Sequence, residues 1–212
     1  MHDMDNLAEF VQEFRRDRFT QVPDSIAQSD IILLKTLMSK LVVGAETVTV
    51  THKLKSSGEG ITGGSNYLRF DGGHPTADSA VALRQNELLT TSGLSEFGSG
   101  LAANLHSLVE NVLDSRVSYE RCYFLAYRPG HYISAHDDRQ TGNRINVQIP
   151  IPVDCRSCIR TLDQRTGLMV NHEDIAGQLR FLGPGVWHDV PPFVGYDAAI
   201  RYVFTLRYRY VG

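Results

Sequence analysis

The sequence predicts a mainly β protein with flanking α-helices, its strands forming an antiparallel double sheet or barrel such as a jelly roll. Two observations carry this. After Arg116, short runs rich in β-branched and aromatic residues alternate with Gly, Pro and Asp punctuation, the spacing expected of closely connected strands. Before it, apolar residues recur at helical intervals. No internal repeat, low-complexity tract or interdomain linker interrupts the chain. A single domain over 1–212 follows, with residues 1–115 as helical support with short strands and 116–212 as the jelly-roll core.

The 212 residues, 42% hydrophobic and 21% charged, suffice for a buried core without disulfides or structural metals. No run of 18 apolar residues exists to cross a bilayer. The N-terminus has neither the basic-then-apolar order of a signal peptide nor the acid-poor texture of a transit peptide, so a cytoplasmic location is expected. Cys122, Cys155 and Cys158 cannot all pair within one chain, and reduced thiols are the simplest expectation. Cys155 and Cys158 form a CxxC without a second ligand pair or a following helix, and read as loop thiols. A net charge of −3 creates no field to attract a polyanion, so nucleic acid is not favoured as a partner.

Met4, Leu7, Phe10, Val11 and Phe14 place an amphipathic helix from about Met4 to Arg18. Ile31, Leu34, Met38 and Leu41 place a second, with Pro23, Asp24 and Ser25 upstream as turn and cap residues. A short strand is expected around Thr47 to His52, then a Gly- and Ser-rich loop from Ser56 to Ser65 that is either a connection or a substrate lid. Pro75 to Leu89 and Ser95 to Leu113 read as two more helices. The strand-like runs are RCYFLAY, HYISAH, RINVQIPI, GLMV, QLRFL, GVWHDV and IRYVFTLRYRYV.

His136 and Asp138 stand two apart after the broken strand YRPGHYISA. Alternation along a strand puts i and i+2 on one face. With His188 from a facing strand, two imidazole nitrogens and one carboxylate oxygen occupy one face of an octahedron and leave three positions open, the non-haem iron(II) arrangement. An HxD pair alone arises often by chance, so the order of its surroundings carries more weight. Tyr127 precedes the pair, GQLRFLGPG leads into His188, and Arg201 follows in an alternating strand.

From about Arg121 onward the chain resembles the 2-oxoglutarate/iron(II) dioxygenase superfamily, in particular its prolyl-hydroxylase-like branch. The matching stretches are YRPGHYISAHDD, RINVQIPI, TGLMV, GQLRFLGPGVWHDV and RYVFTLRYR, in family order. The resemblance implies a double-stranded β-helix with iron(II) held by His136, Asp138 and His188. It implies Arg201 on the last strand as partner of the distal carboxylate of 2-oxoglutarate, with Tyr127 offering a hydroxyl to the cosubstrate. It implies consumption of dioxygen, release of succinate and carbon dioxide, and ascorbate as the reductant in vitro. Asp138 stands where related halogenases carry a small residue, so hydroxylation is expected rather than chlorination.

Residue chemistry agrees. A guanidinium offers a rigid donor fork to a carboxylate and keeps its charge. Arg201, Arg207 and Arg209 share one strand parity, and several arginines on one inner face call for an anion. Arg201 is favoured over Arg207 as the anchor. Asn143, Arg144 and Asn146 are candidate substrate contacts. His131 and Asp137 point away by alternation, Trp187 reads as core, and His172 and Glu173 read as solvated loop residues. The expected substrate is a small molecule such as an amino acid or natural-product intermediate. Two other readings stay open: nucleic-acid demethylation, since RYVFTLR is similar to the RxNxTxR ending of AlkB-type enzymes with Val203 in place of Asn, and a non-catalytic metal- or ligand-binding β-barrel.

Overall fold

A computed structural model describes residues 4–44, 65–70, 87–138, 142–152, 157–196 and 199–211. The helices are α1 (Met4–Asp17), α2 (Gln28–Gly44) and α3 (Leu94–Leu113), with residues 87–91 also helical. The strands are β1 (Phe19–Val22), β2 (Ser65–Asn66), β3 (Leu68–Phe70), β4 (Val117–Tyr127), β5 (Tyr132–His136), β6 (Arg144–Ile151), β7 (Cys158–Asp163), β8 (Leu168–Glu173), β9 (Leu179–Leu182), β10 (His188–Val190) and β11 (Arg201–Tyr210).

All paired strands run antiparallel, in a six-stranded sheet ordered β1-β9-β6-β11-β4-β3 and a five-stranded sheet ordered β2-β5-β10-β7-β8. This is the expected double sheet. Its large sheet is built around β11, which pairs with β4 on one side and β6 on the other. Strand alternation splits β11 in two. Tyr202, Phe204, Leu206 and Tyr208 join the core that includes α1, α2 and α3, whereas Val203 joins the core between the sheets. Arg201 and Arg207, of the same parity as Val203, line a cavity with it. The helices therefore buttress one sheet, as expected. One close approach is at Gly98, where an added Cβ would lie 2.5 Å from Cys122 Sγ.

Among the described residues no helix covers the second sheet, and β8 carries largely exposed residues. Trp187 is 41% exposed, which corrects its reading as core. Alternation from His188 points it outward.

Several local expectations also change. The cap of α2 is not Ser25, whose hydroxyl donates to the Val22 and Pro23 carbonyls. The Ala27 carbonyl instead accepts the first N–H groups of the helix. Cys158 opens β7 rather than lying in a loop, and β8 runs on through His172 and Glu173. His172 is half-buried against Phe19, with ring centroids 4.3 Å apart, and bonds Thr161 Oγ1 at 2.7 Å. The strand at 47–52, the 56–64 portion of the Gly/Ser-rich loop, the 75–86 portion of the third helix, and Cys155 lie outside the described residues. Among the described residues, no helix is long and apolar enough to cross a membrane, and Cys122 and Cys158 are not disulfide-bonded.

Candidate active site

β5 and β10 bring the two histidines together. His136 and His188 are direct cross-strand partners, with ring centroids 4.2 Å apart. Two tight turns aim these strands: Gly130 (φ 81°) precedes β5 and Gly185 (φ 86°) precedes β10, both in the left-handed region that favours glycine. Each imidazole is tied by Nδ1 to the backbone carbonyl two residues back, Ser134 for His136 and Val186 for His188, both at 2.8 Å. A carbonyl only accepts, so both Nδ1 atoms carry the proton. Both Nε2 lone pairs are then free for a ligand role. Burial, reinforced by the neighbouring His136, pushes the His188 pKa down, which keeps its ring neutral.

Asp138 lies two residues beyond His136, just past the end of β5. Its Oδ1 is 3.9 Å from His136 Nε2, and its Oδ2 accepts from Asn146 Nδ2 at 3.0 Å. Adjacent ligands on an octahedral cation about 2.1 Å away sit roughly 3 Å apart. The His136–Asp138 separation exceeds that by about 1 Å, within reach of a side-chain rotation. Among the described residues, no three His, Cys, Asp or Glu side chains already stand in finished metal-holding geometry. The donor set fits a divalent cation in type and tautomer, and Asp138 needs that last adjustment to complete it.

Asn146 does more than meet Asp138. Its Oδ1 accepts from Arg207 Nε at 3.1 Å and from the Tyr123 hydroxyl at 3.3 Å, and Arg207 Nη2 donates to Tyr123 at 3.2 Å. Both ends of its amide are engaged with protein partners, one of them a metal-ligand candidate, and Asn146, read as a substrate contact, also lines the cavity. Arg207, read as a second cosubstrate contact, lines the cavity but spends Nε and Nη2 on neutral neighbours.

Asn143 and Arg144 are not brought to the cavity. Asn143 is exposed, and its carbonyl accepts from Tyr210 N. Arg144 pairs with Glu120 at 3.0 Å, and Arg209 pairs with the other oxygen of that carboxylate. The register of β4 against β11 slips after Arg207, with Glu120 as the extra residue. Arg209 and Arg144, direct partners in the unbroken β11–β6 register, lie one same-face position beyond Arg207 and Asn146 and meet that carboxylate instead of the cavity.

Arg201 is 1% exposed and stacks over the Tyr127 ring, 4.8 Å from its centroid. Burial pushes the Tyr127 phenol pKa far up, so its hydroxyl keeps its proton. The anion demanded by the buried arginines proves to be in the protein. Asp174 accepts from Arg201 Nε at 2.5 Å and Nη2 at 3.1 Å, and from Arg180 Nη1 at 2.6 Å. Despite its burial, the two guanidiniums hold its carboxyl well below the usual range. Arg201 Nη1 is buried and has no partner among the described residues. Neither Asp174 nor Arg180 was singled out from the sequence; the charged Asp174 reads as one more loop acid until β8 and β9 close around it.

His136, Asp138, His188, Asn146, Arg201, Arg207 and Tyr127 all line one cavity of about 70 Å³, with Leu125, Ile133, Ile159, Val190 and Val203 as apolar wall. A larger cavity of about 750 Å³ lies between α1, β1 and the β7–β8 hairpin, walled by Phe19, Thr161, His172 and Val186. We place the chemistry in the smaller one. The larger has no paired imidazoles and adjoins the Val186 side of His188, the side to which Nδ1 is tied.

No protein-family model matches the sequence, and no curated protein matches it. Solved structures do. The non-heme alpha ketoglutarate dependent epimerase SnoN from nogalamycin biosynthesis is similar at 15% identity and TM-score 0.64, over 98% of this chain and 82% of that one. SnoN has also been solved in complex with Fe3+, alpha ketoglutarate and nogalamycin RO. A Pseudomonas putida prolyl-4-hydroxylase is similar at 16% identity and TM-score 0.58, over 97% of this chain and 100% of that one. An oxidoreductase of the 2OG-Fe(II) oxygenase family from Burkholderia pseudomallei matches at 12% identity and TM-score 0.61, over 99% and 93%. Across nearly its whole length, this chain has the fold of the 2OG-Fe(II) oxygenases.

Proposed function

We propose that the protein is an iron(II)- and 2-oxoglutarate-dependent dioxygenase that hydroxylates a small molecule such as an amino acid or natural-product intermediate. One observation carries the reading: two imidazoles with Nδ1 tied to carbonyls and a carboxylate share a cavity with a buried arginine whose Nη1 lacks a partner. SnoN, solved with Fe3+ and alpha ketoglutarate, and the 2OG-Fe(II) oxygenase family member from Burkholderia pseudomallei support the same cofactors here.

His136, Asp138 and His188 would hold the iron, with Asn146 keeping the Asp138 carboxylate turned inward. Arg201 Nη1 would donate to the distal carboxylate of 2-oxoglutarate, and the protonated Tyr127 hydroxyl would supply a second donor. When bound, iron(II) with 2-oxoglutarate and dioxygen supplies oxidative decarboxylation to succinate and carbon dioxide, with transfer of one oxygen atom to a C–H bond. The apolar wall keeps bulk water away from the reacting centre, which strengthens each charged contact inside it.

Succinate release is the direct test, measured with iron(II), ascorbate and 2-oxoglutarate against a panel of amino acids and natural-product scaffolds. Turnover that disappears in His188→Ala is expected. An iron-loaded wild-type protein that neither binds 2-oxoglutarate nor releases succinate would overturn the proposal.

A further inference from the structure

Behind the site lies a buried cluster whose charges do not balance. Asp174, with its side chain 1% exposed, accepts from Arg201, Arg180 and Ser157. Arg180 also donates through Nη2 to the His172 and Glu173 carbonyls at 3.0 and 2.6 Å. Two guanidiniums that cannot lose their charge thus face one carboxylate. The other titratable neighbours among the described residues are Cys158, whose thiol burial pushes up in pKa, the Tyr127 phenol, and His172, whose pKa burial and the Arg180 charge push down; all three stay neutral. Among the described residues the cluster carries one uncompensated positive charge, and two of its nitrogens, Arg201 Nη1 and Arg180 Nε, are buried without partners. An unpaired buried charge is costly. Of these two arginines, only Arg201 lines the cavity with His136 and His188.

We propose that Asp174 and Arg180 are positioning residues for cosubstrate binding. Asp174 grips Arg201 by Nε and Nη2, so that Nη1 alone meets the ligand. Arg180 offsets the Asp174 charge, so that the cluster retains one positive charge and takes up a single carboxylate. This rests on Arg201 as the 2-oxoglutarate anchor. Without Arg180, Asp174 and Arg201 form a neutral pair, and an incoming carboxylate meets repulsion as well as attraction.

The test titrates zinc-loaded protein calorimetrically with 2-oxoglutarate and with 2-oxopentanoate, which keeps the keto-acid chelate but lacks the distal carboxylate. Wild type should bind 2-oxoglutarate at least about 100-fold more tightly. Arg180→Gln should weaken 2-oxoglutarate at least about tenfold and leave 2-oxopentanoate unchanged. Arg180→Gln combined with Asp174→Asn restores the single excess charge and keeps an acceptor for Arg201, and should return affinity to within about threefold of wild type. Wild type should also bind 2-oxoglutarate without net proton uptake across buffers of different ionisation enthalpy, a measurement that needs no variant. Uptake near one proton, or an Arg180→Gln variant that binds 2-oxoglutarate as wild type does, overturns the inference alone. A wild type that does not prefer 2-oxoglutarate over 2-oxopentanoate overturns the Arg201 anchor with it.

Discussion

Asn146 donates to Asp138 at 3.0 Å while accepting from Arg207 at 3.1 Å. One amide therefore joins a metal-ligand candidate on the turn after β5 to the inner arginine row of β11, tying the two sheets together at the level of the site. Outer contacts of this kind orient a ligating carboxylate and commonly contribute 10- to 100-fold in metal affinity. Asn146→Ala should lower affinity for a divalent cation by about that factor, measured by calorimetry with manganese(II) or zinc(II). Affinity equal to wild type would show that Asp138 needs no such support.

Asp174 should matter for folding as well as for ligand binding. Asp174→Asn leaves Arg180 and Arg201 buried without a counter-charge, and breaking a buried pair costs about 3–5 kcal/mol. Urea denaturation should show a loss of that order. The double variant with Arg180→Gln should recover part of it, because one of the stranded charges is gone.

Acid stability should depend on His172. Burial, with the Arg180 charge adding to it, pushes its pKa down to about 4. The unfolded chain, with a histidine pKa near 6.5, binds more protons between those values. Stability contributed by neutral His172 is therefore present above about 6.5 and declines as pH falls toward 4. His172→Gln, which can still bond Thr161, should flatten the denaturation midpoint across that window. An unchanged slope would place the acid sensitivity elsewhere.

Helix α3 should resist any side chain at Gly98. An added Cβ would lie 2.5 Å from Cys122 Sγ and 3.1 Å from Phe204 Cζ. Overpacking of this kind costs about 1–3 kcal/mol. Gly98→Ala should lower the thermal midpoint, and adding Cys122→Ala should restore part of the loss by removing the nearer atom. A Gly98→Ala protein as stable as wild type would mean that α3 shifts freely on the sheet.

Elements with strong periodicity were legible in the residues alone: α1, α2 and α3, the long strands β4, β6 and β11, and the placement of His136 and His188 on strands. Their patterns are local, with period 3.6 or 2, and survive without knowledge of neighbours. The sequence also carried the donor types at the site, because HxD, a distant His and a following Arg keep their order along the chain. The short strands β1, β2 and β3 were not legible, since they are strands only by virtue of their partners in the two sheets. The partners of the charged residues were decided by tertiary structure. Alternation puts Arg201 inward, but only the closure of β8 and β9 brings Asp174 and Arg180 to it. Arg209 and Arg144 share the parity of Arg207 and Asn146, and only the tertiary structure sets Glu120 of β4 beside both. A charge seeks its partner through space, and nothing in the spacing of residues along one strand records what the facing sheet will supply.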